Sequence, residues 1–538
     1  MNDLEENKNI VKTKIDIFEP PKRMSREFSK NDLLKIDSPK HIECTVDRNT
    51  INQIVDTLSF DDILINPRLS NIQSRKDISL KTRLTKKISL NLPLISSPMD
   101  TITEDKMAIE MALNGGLGII HRYNTIEKQV EMVKSVKRYL SFKIENPYTI
   151  SEDNTVDDLL VQISKLNVYS FVVVKKQDVD TTCYDVLSGI ITKWDLNNHK
   201  LSGNSNQTKI KDIMTPLNKL VYANPNITKD DALNIMKKHK IEKLPLSCEG
   251  VNLCGMISYK SIMEYELNKN KYSLDDNNSL LVGASVGIVG DYLERTKELI
   301  NAGCNLICVD VANGYNEKVS HVIKELKSLG VEVMAGNVCN AEGFEFLCQA
   351  GADCIRVGIG NGSICSTRLV TGVGCGQFSA LMNCRYIARK YNVGMISDGG
   401  HLGKDGNISK AFIIGSNAMI LGKTISATDE TPGKIINRNN RRVKYYRGMA
   451  SAMAMASKAE VSNQEYNDNQ NPEGMDMEIE IKGPVKNILQ RIESSIKSTM
   501  SYIGCINTEK LRQDENKISF YKQSAGVMSE TSIRGKTV

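Results

Sequence analysis

Short β-branched runs recur along this chain. Each ends abruptly in Gly, Ser, Asn or Asp, and a stretch of helical spacing follows. The runs are PLISSPMD (93–100), GGLGIIH (115–121), SLLVGASVG (279–287), NLICVDVANG (305–314), VEVMAGN (331–337), CIRVGIGNG (354–362), VGMISDGG (393–400) and AMILGK (418–423). Nearly continuous apolar runs alternating with helices predict parallel strands buried on both faces. Eight such units predict an α/β chain folded as a (β/α)₈ TIM barrel, with a doubly wound sheet as the alternative. In a barrel the polar residues that end each run stand on the C-terminal rim, where such folds place their chemistry.

The stretch from His121 to Ser279 is too long for a barrel loop and predicts an inserted domain. A twofold repeat lies inside it. The first copy begins TISEDNTVDDLLVQISKLNVYSFVVVKK and closes with LSGIITKWDL (187–196). The second begins DIMTPLNKLVYANPNITKDDALNIMKKHKIEKLPL and closes with LCGMISYKSIM (253–263). Each copy reads strand, helix, strand, then Gly-apolar-Ile-Ser/Thr. The pair resembles a tandem cystathionine-β-synthase-type (CBS) module, which binds purine nucleotides. That resemblance makes Thr192 and Asp195 candidate regulatory-nucleotide residues, with Asp195 on a ribose. Ser261 takes the corresponding position in the second copy, so unequal sites are expected. The expected organisation is a flexible N-terminal arm (1–50), a catalytic barrel (51–144 and 269–512), the CBS regulatory pair (145–268) and a C-terminal tail (513–538).

Composition narrows the partners. Lys and Arg number 70 against 64 Asp and Glu, a net charge of +6 over 538 residues. So weak a balance gives no reason to expect nucleic acid or a membrane. No run approaches the roughly 18 uncharged apolar residues of a membrane helix. The opening MNDLEENKN lacks an apolar signal core. Thirteen scattered cysteines, an odd number, read as reduced thiols and a cytoplasmic location.

The segment GIGNGSICSTRLVTGVGCGQ (358–377) carries the most chemistry. Gly358, Gly360 and Gly362 free the backbone to turn and expose N–H groups, and Ser363 adds a hydroxyl. Together they suit a phosphate. Cys365 stands where a rim loop would present a nucleophile, and Arg368 lies near enough in sequence to favour its thiolate. The competing reading is an ordinary thiol like the other twelve. Asp398, in Ser-Asp-Gly399-Gly400, suits a ribose diol. Leu421-Gly422-Lys423 ends the last run, beside which barrels bind phosphate. The sum is a ribonucleoside monophosphate site.

LSFDDILINP (58–67), SSPMDTITE (96–104), GGLGIIHRYN (115–124), AGNV (335–338), GIGNGSICSTR and KYYRGMAS (444–451) together resemble the inosine monophosphate (IMP) dehydrogenase / guanosine monophosphate (GMP) reductase family over residues 56–505. The resemblance implies that Cys365 attacks purine carbon 2, with Thr367 and Glu473 handling protons. It places Ser363, Gly400, Gly422 and Lys423 around the phosphate and Asp398 on the ribose, with Gly399 also in the substrate site. Tyr446, Gly448 and Met449 join the substrate site. Asp310 and Arg368 fall on the nicotinamide side, and the carbonyls of Gly360, Gly362 and Cys365 at a potassium ion. Lys423 departs from the small residue the family usually carries there. A homotetramer, or an octamer through the CBS pair, is also implied.

Both activities of the family share the covalent Cys–purine adduct. The dehydrogenase then hydrolyses it, using NAD and a flap Arg-Tyr pair to activate water. The reductase releases ammonia and reduces the adduct with NADPH. The flap segment 457–483 contains no Arg, and Glu465-Tyr466-Asn467 stands about where Arg-Tyr would be. VDVANGY (309–315), MISDGG (395–400) and TGVGCGQFSA (371–380) are also reductase-like, whereas the inserted pair is dehydrogenase-like. The reading is a GMP reductase, with IMP dehydrogenase as the alternative. An inactive nucleotide sensor is a further alternative, against which the intact Gly-Ser-Ile-Cys-x-Thr-Arg speaks.

Overall fold

The computed structural model describes residues 55–139, 143–144, 147–166, 168–179, 182–248, 252–461 and 472–534. The arm expected over 1–50 and Glu465-Tyr466-Asn467 of the flap lie outside the described residues. The chain divides into two compact units. One holds the described residues up to Lys137 and from Lys271 on, and the other is Arg138–Asn270.

The first unit is a closed barrel of eight parallel strands: β1 (Leu94–Ser96), β2 (Leu117–Ile120), β3 (Val282–Val286), β4 (Leu306–Asp310), β5 (Glu332–Val338), β6 (Cys354–Val357), β7 (Gly394–Asp398) and β8 (Ala418–Leu421). These are the eight runs read from the sequence. The ring closes where Met419 pairs with Leu94, and β2 pairs directly with β3 across the insertion. The strands are apolar throughout because both faces are covered. One set of side chains, including Ile95, Leu117, Leu306, Met334 and Ile420, fills the barrel interior. Leu84, Ile88 and Leu90 join the same cluster. They come from the short hairpin pairing Thr82–Arg83 with Ser89–Leu90, which plugs the N-terminal mouth. The C-terminal mouth is left for chemistry.

Helices cover the outside. Val485–Tyr502 shows the rule: Val485, Leu489, Ile492, Ile496 and Met500 repeat at helical spacing and are all buried. Asn316 and Asn340 cap the helices Glu317–Ser328 and Ala341–Ala350 by accepting backbone N–H groups.

The flexible tail expected from 513 needs correction over its described part. Phe520–Lys522 is a strand paired antiparallel with Ile63–Ile65, and Ala525–Arg534 is helical. Ile518 and Phe520, two apart, bury their side chains. Glu515 is buried against Arg385 and Arg389. Burial of this apolar pair outweighs the polar composition that suggested disorder.

In the second unit both copies share one sheet. Its strands run in the order Lys243–Cys248, Asn252–Ser258, Thr182–Ile191, Phe171–Val179, Thr149–Ser151. Each copy keeps its own core. Ile150, Val156, Leu159, Phe171 and Ile191 pack in the first, and Ala232, Met236, Leu244, Ile257 and Ile262 in the second.

Candidate active site

The C-terminal mouth of the barrel opens into a cleft of about 390 Å³. Cys365 lies on the loop after β6. Its N–H donates to the Gly362 carbonyl at 3.1 Å, which folds the loop into a turn that lifts the thiol. Residues 473–475 run beside this loop as an extra extended segment. Ser366 N–H donates to the Glu473 carbonyl (2.9 Å), Met475 N–H to the Ile364 carbonyl (2.9 Å), and Cys365 bridges Gly474. On its other side this segment is held by 448–450, through Gly448 N–H to Met475 and Glu473 N–H to Ala450, both 3.1 Å. The result is a directed chain. The Cys365 thiol donates to Thr367 Oγ1 at 3.2 Å, and Thr367 donates to Glu473 Oε2 at 2.7 Å. A proton can leave the thiol and return to a leaving group along one line.

Ser363, Gly400, Gly422 and Lys423, the residues expected around a phosphate, all line this cleft. Tyr446 is buried beside Gly422, and burial raises its pKa to about 12, against smaller lowering effects of the Ser363 side chain and the Lys423 backbone. Lys482 braces the Lys423 loop. Its ammonium donates to the carbonyls of Lys423 (2.7 Å) and Thr424 (3.2 Å). Burial and the neighbouring Lys423 charge push its pKa down to about 8. Gly358 is required: at φ +144 a Cβ would sit 2.0 Å from the Asp398 carbonyl. Gln377 fixes this region by donating to Val357 O (2.7 Å) and Ser397 Oγ (3.2 Å).

Asp310 ends β4 and Asp398 ends β7, and the two are joined by Arg356 of β6, which is only 6 % exposed. Arg356 donates to Asp310 Oδ1 at 2.5 Å and to Asp398 Oδ2 at 2.7 and 3.1 Å. Asn337 adds a bond to Asp398 at 2.9 Å. The flanking carboxylates hold the guanidinium firmly protonated, against the opposing effect of burial. Sequence reasoning missed Arg356. The available signal was a charged residue inside an otherwise apolar strand, which demands buried partners. It also missed Asn337, Arg122 and Tyr123, which line the cleft. Tyr123 donates to the Met449 carbonyl at 2.8 Å.

The expected residues mostly converge. Cys365, Thr367, Glu473, Asp310 and Asp398 line the cleft, as do Gly360, Gly362, Gly399, Gly448 and Met449. Arg368 behaves differently: its guanidinium turns to the Cys375 carbonyl and its stem packs against Gly360. Thr192 and Asp195 belong to the second unit. There Asp195 accepts from the Thr192 N–H (2.8 Å) and hydroxyl (2.7 Å), closing a capping box on its own helix. Among the described residues, no group of three or more His, Cys, Asp or Glu side chains is arranged to hold a metal, and no helix is long and apolar enough to cross a membrane.

Comparison with known proteins gives this geometry a family. A family model described as the IMP dehydrogenase / GMP reductase domain matches residues 57–533. The inosine-5'-monophosphate dehydrogenase of Nitrosopumilus maritimus is 37% identical over 481 residues, covering 88% of this chain and 97% of that one. The GMP reductase of Leishmania major is 35% identical over 468 residues, covering 85% and 93%. A crystal structure of a cysteine-to-alanine variant of Trypanosoma brucei GMP reductase, in complex with guanosine 5'-monophosphate, superposes with a TM-score of 0.77 at 34% identity, covering 90% of this chain and 98% of that one. The same enzyme with guanosine 5'-triphosphate gives 0.69 at 31%, covering 89% and 100%. The barrel with its presented thiol is therefore that of an oxidoreductase, and the chain belongs to the IMP dehydrogenase / GMP reductase family.

Proposed function

We propose that this protein is a GMP reductase, converting GMP to IMP and ammonia with NADPH. The observation that carries the reading is the absence of any arginine between Arg447 and Arg491. The dehydrogenase reaction needs a flap arginine to activate water for hydrolysis of the covalent adduct. The reductase needs only a donor for the departing amine, and Glu473 through Thr367 is such a donor. The second reading, IMP dehydrogenase, is favoured by relatives of that name at 37–39% identity.

In the proposed mechanism the Cys365 sulfur attacks purine carbon 2 while its proton passes to Thr367 and Glu473. The carbon–nitrogen bond to the 2-amino group then breaks, and the relay returns a proton so that ammonia leaves. The purine remains bound to sulfur as a thioimidate. Reduced nicotinamide, when bound, supplies the hydride that reduces carbon 2. The carbon–sulfur bond then breaks and Cys365 is regenerated. The chain's polar groups suit that cofactor: Arg122 Nε and Asn337 Oδ1 border the cleft, buried and without a partner, and Asp310 stands beside them. Arg368 remains a candidate on that side. A potassium ion would take the carbonyls of Gly360, Gly362 and Cys365, the second of which also accepts the Cys365 N–H.

The second unit is read as the CBS pair, taking purine nucleotides with Thr192 and Asp195, in a cytoplasmic homotetramer or octamer. The deciding assay pairs GMP plus NADPH against IMP plus NAD. The first should yield ammonia and IMP, and the second little xanthosine monophosphate. Robust xanthosine monophosphate formation overturns the reading. Glu473→Gln should slow ammonia release by about 10²- to 10⁴-fold with little change in KM.

A further inference from the structure

The hairpin that closes the second copy of the inserted unit brings two thiols together. Strand Lys243–Cys248 pairs with Asn252–Ser258, and its register shifts between Leu246 and Ser247. Leu246 faces Gly255 but Ser247 faces Leu253, so Cys254 is the extra residue of a bulge. The bulge turns its side chain towards Cys248, and the two Sγ atoms lie 2.7 Å apart. A disulfide bond, about 2.05 Å long, requires a further approach of less than one ångström.

Accessibility favours this pair through Cys248, the one exposed thiol among the described cysteines. Cys254, like Cys339, Cys365 and Cys375, is partly exposed, whereas Cys304, Cys308, Cys348, Cys354, Cys384 and Cys505 are buried; among the described residues only Cys248 and Cys254 have their sulfurs this close together. Burial pushes Cys304 up to about 11 and Cys308 and Cys348 to about 12. The thiolate is the reacting species, so those buried thiols are protected. Cys254 also packs against the core of the second copy. A bond formed here pins two strands of that copy at its bulge.

We propose that Cys248 and Cys254 form a reversible dithiol–disulfide couple, oxidised by small-molecule disulfides such as glutathione disulfide. The Cys248 thiolate attacks one sulfur of the oxidant, whose S–S bond breaks to release one glutathione thiolate. The Cys254 thiolate then attacks the Cys248 sulfur of the mixed disulfide and releases the second glutathione. The protein loses two protons and two electrons, and the oxidant becomes two thiols.

The test uses the full chain in glutathione redox buffers, quenched by alkylation and mapped by mass spectrometry. Both cysteines fall in one tryptic peptide, 244–260. That peptide should lose two hydrogen masses ahead of modification at any other thiol, and dithiothreitol should restore it. Cys254→Ser should leave a stable glutathione adduct on Cys248, because no second thiol remains to resolve it. Cys254→Ala serves as the control if the serine perturbs the core. A glutathione adduct on Cys248 as long-lived in the wild type as in these variants overturns the proposal. So does a peptide that stays reduced in a buffer that modifies Cys365.

Discussion

Asp398 ends strand β7, Asp195 lies in the first turn of the helix Lys193–Leu201, and both are the carboxylates proposed for a ribose. Their surroundings differ. Asp398 is held by Arg356 from β6 and Asn337 from β5, across the barrel mouth. Asp195 is held by Thr192, three residues away in its own turn. A carboxylate fixed by distant elements costs desolvation that only an assembled site returns. A carboxylate fixed by its own turn is already explained as a helix cap. The barrel residue therefore carries functional weight through its contacts, and the inserted-unit residue carries it through resemblance.

The largest effect should come at the rim. Cys365→Ala should lower turnover by at least about 10³-fold, because it removes the thiol bonded to the Thr367–Glu473 relay, and Cys365→Ser should be nearly as damaged. Binding of GMP, read by calorimetry, should survive in both. Turnover within tenfold of wild type would separate the rim geometry from the chemistry.

Arg356→Met tests whether the rim is one unit. Two partly buried carboxylates would lose their shared buried cation, and stability should drop by about 3 kcal/mol in denaturant unfolding. A loss below 1 kcal/mol would make Asp398 as locally held as Asp195.

His401 gives the rim a pH signature. It stacks on Phe60, its ring nitrogen lies 3.1 Å from Ser397 Oγ, and burial lowers its pKa from 6.5 to about 4. The unfolded chain therefore binds a proton between pH 6.5 and 4 that the folded chain refuses. His401 contributes fully above pH 6.5, and by pH 4 about 3 kcal/mol of that contribution is gone. The stability difference between wild type and His401→Asn should shrink across that window. A difference independent of pH would show that the ring is solvated.

Asp195→Ala should have the smallest effect on folding, about 1 kcal/mol for the lost cap. The chain's single tryptophan, Trp194, is next to it and 71% exposed, so its fluorescence offers a readout. Affinity for ATP or GTP should fall about tenfold as a charge-assisted hydrogen bond is lost. Unchanged affinity would reduce Asp195 to a cap and sharpen the contrast with Asp398.

The barrel was legible because each strand announces itself locally, as in Cys354–Val357 or Ala418–Leu421, by an apolar run cut short. The loop 358–368 was legible because its glycines and cysteine are contiguous. Arg356 was hidden because its meaning lies in Asp310 and Asp398, on other strands. Lys482 was hidden because the carbonyls it braces, on Lys423 and Thr424, are far away in sequence. The strand Phe520–Lys522 was obscured by polar neighbours, although Ile518 and Phe520 carried the two-residue spacing of a strand.

The pairing of Ile63–Ile65 with Phe520–Lys522 also bears on how the protein is made. On the ribosome the first of these strands emerges long before its partner. At about 5–20 residues per second, the interval is roughly half a minute to a minute and a half. Ile63, fully buried in the finished protein, has no cover from that partner while the nascent chain grows. The pairing that covers Ile63–Ile65 therefore forms only once Phe520–Lys522 has emerged, and until then that strand presents an open edge to whatever chaperones attend the ribosome exit.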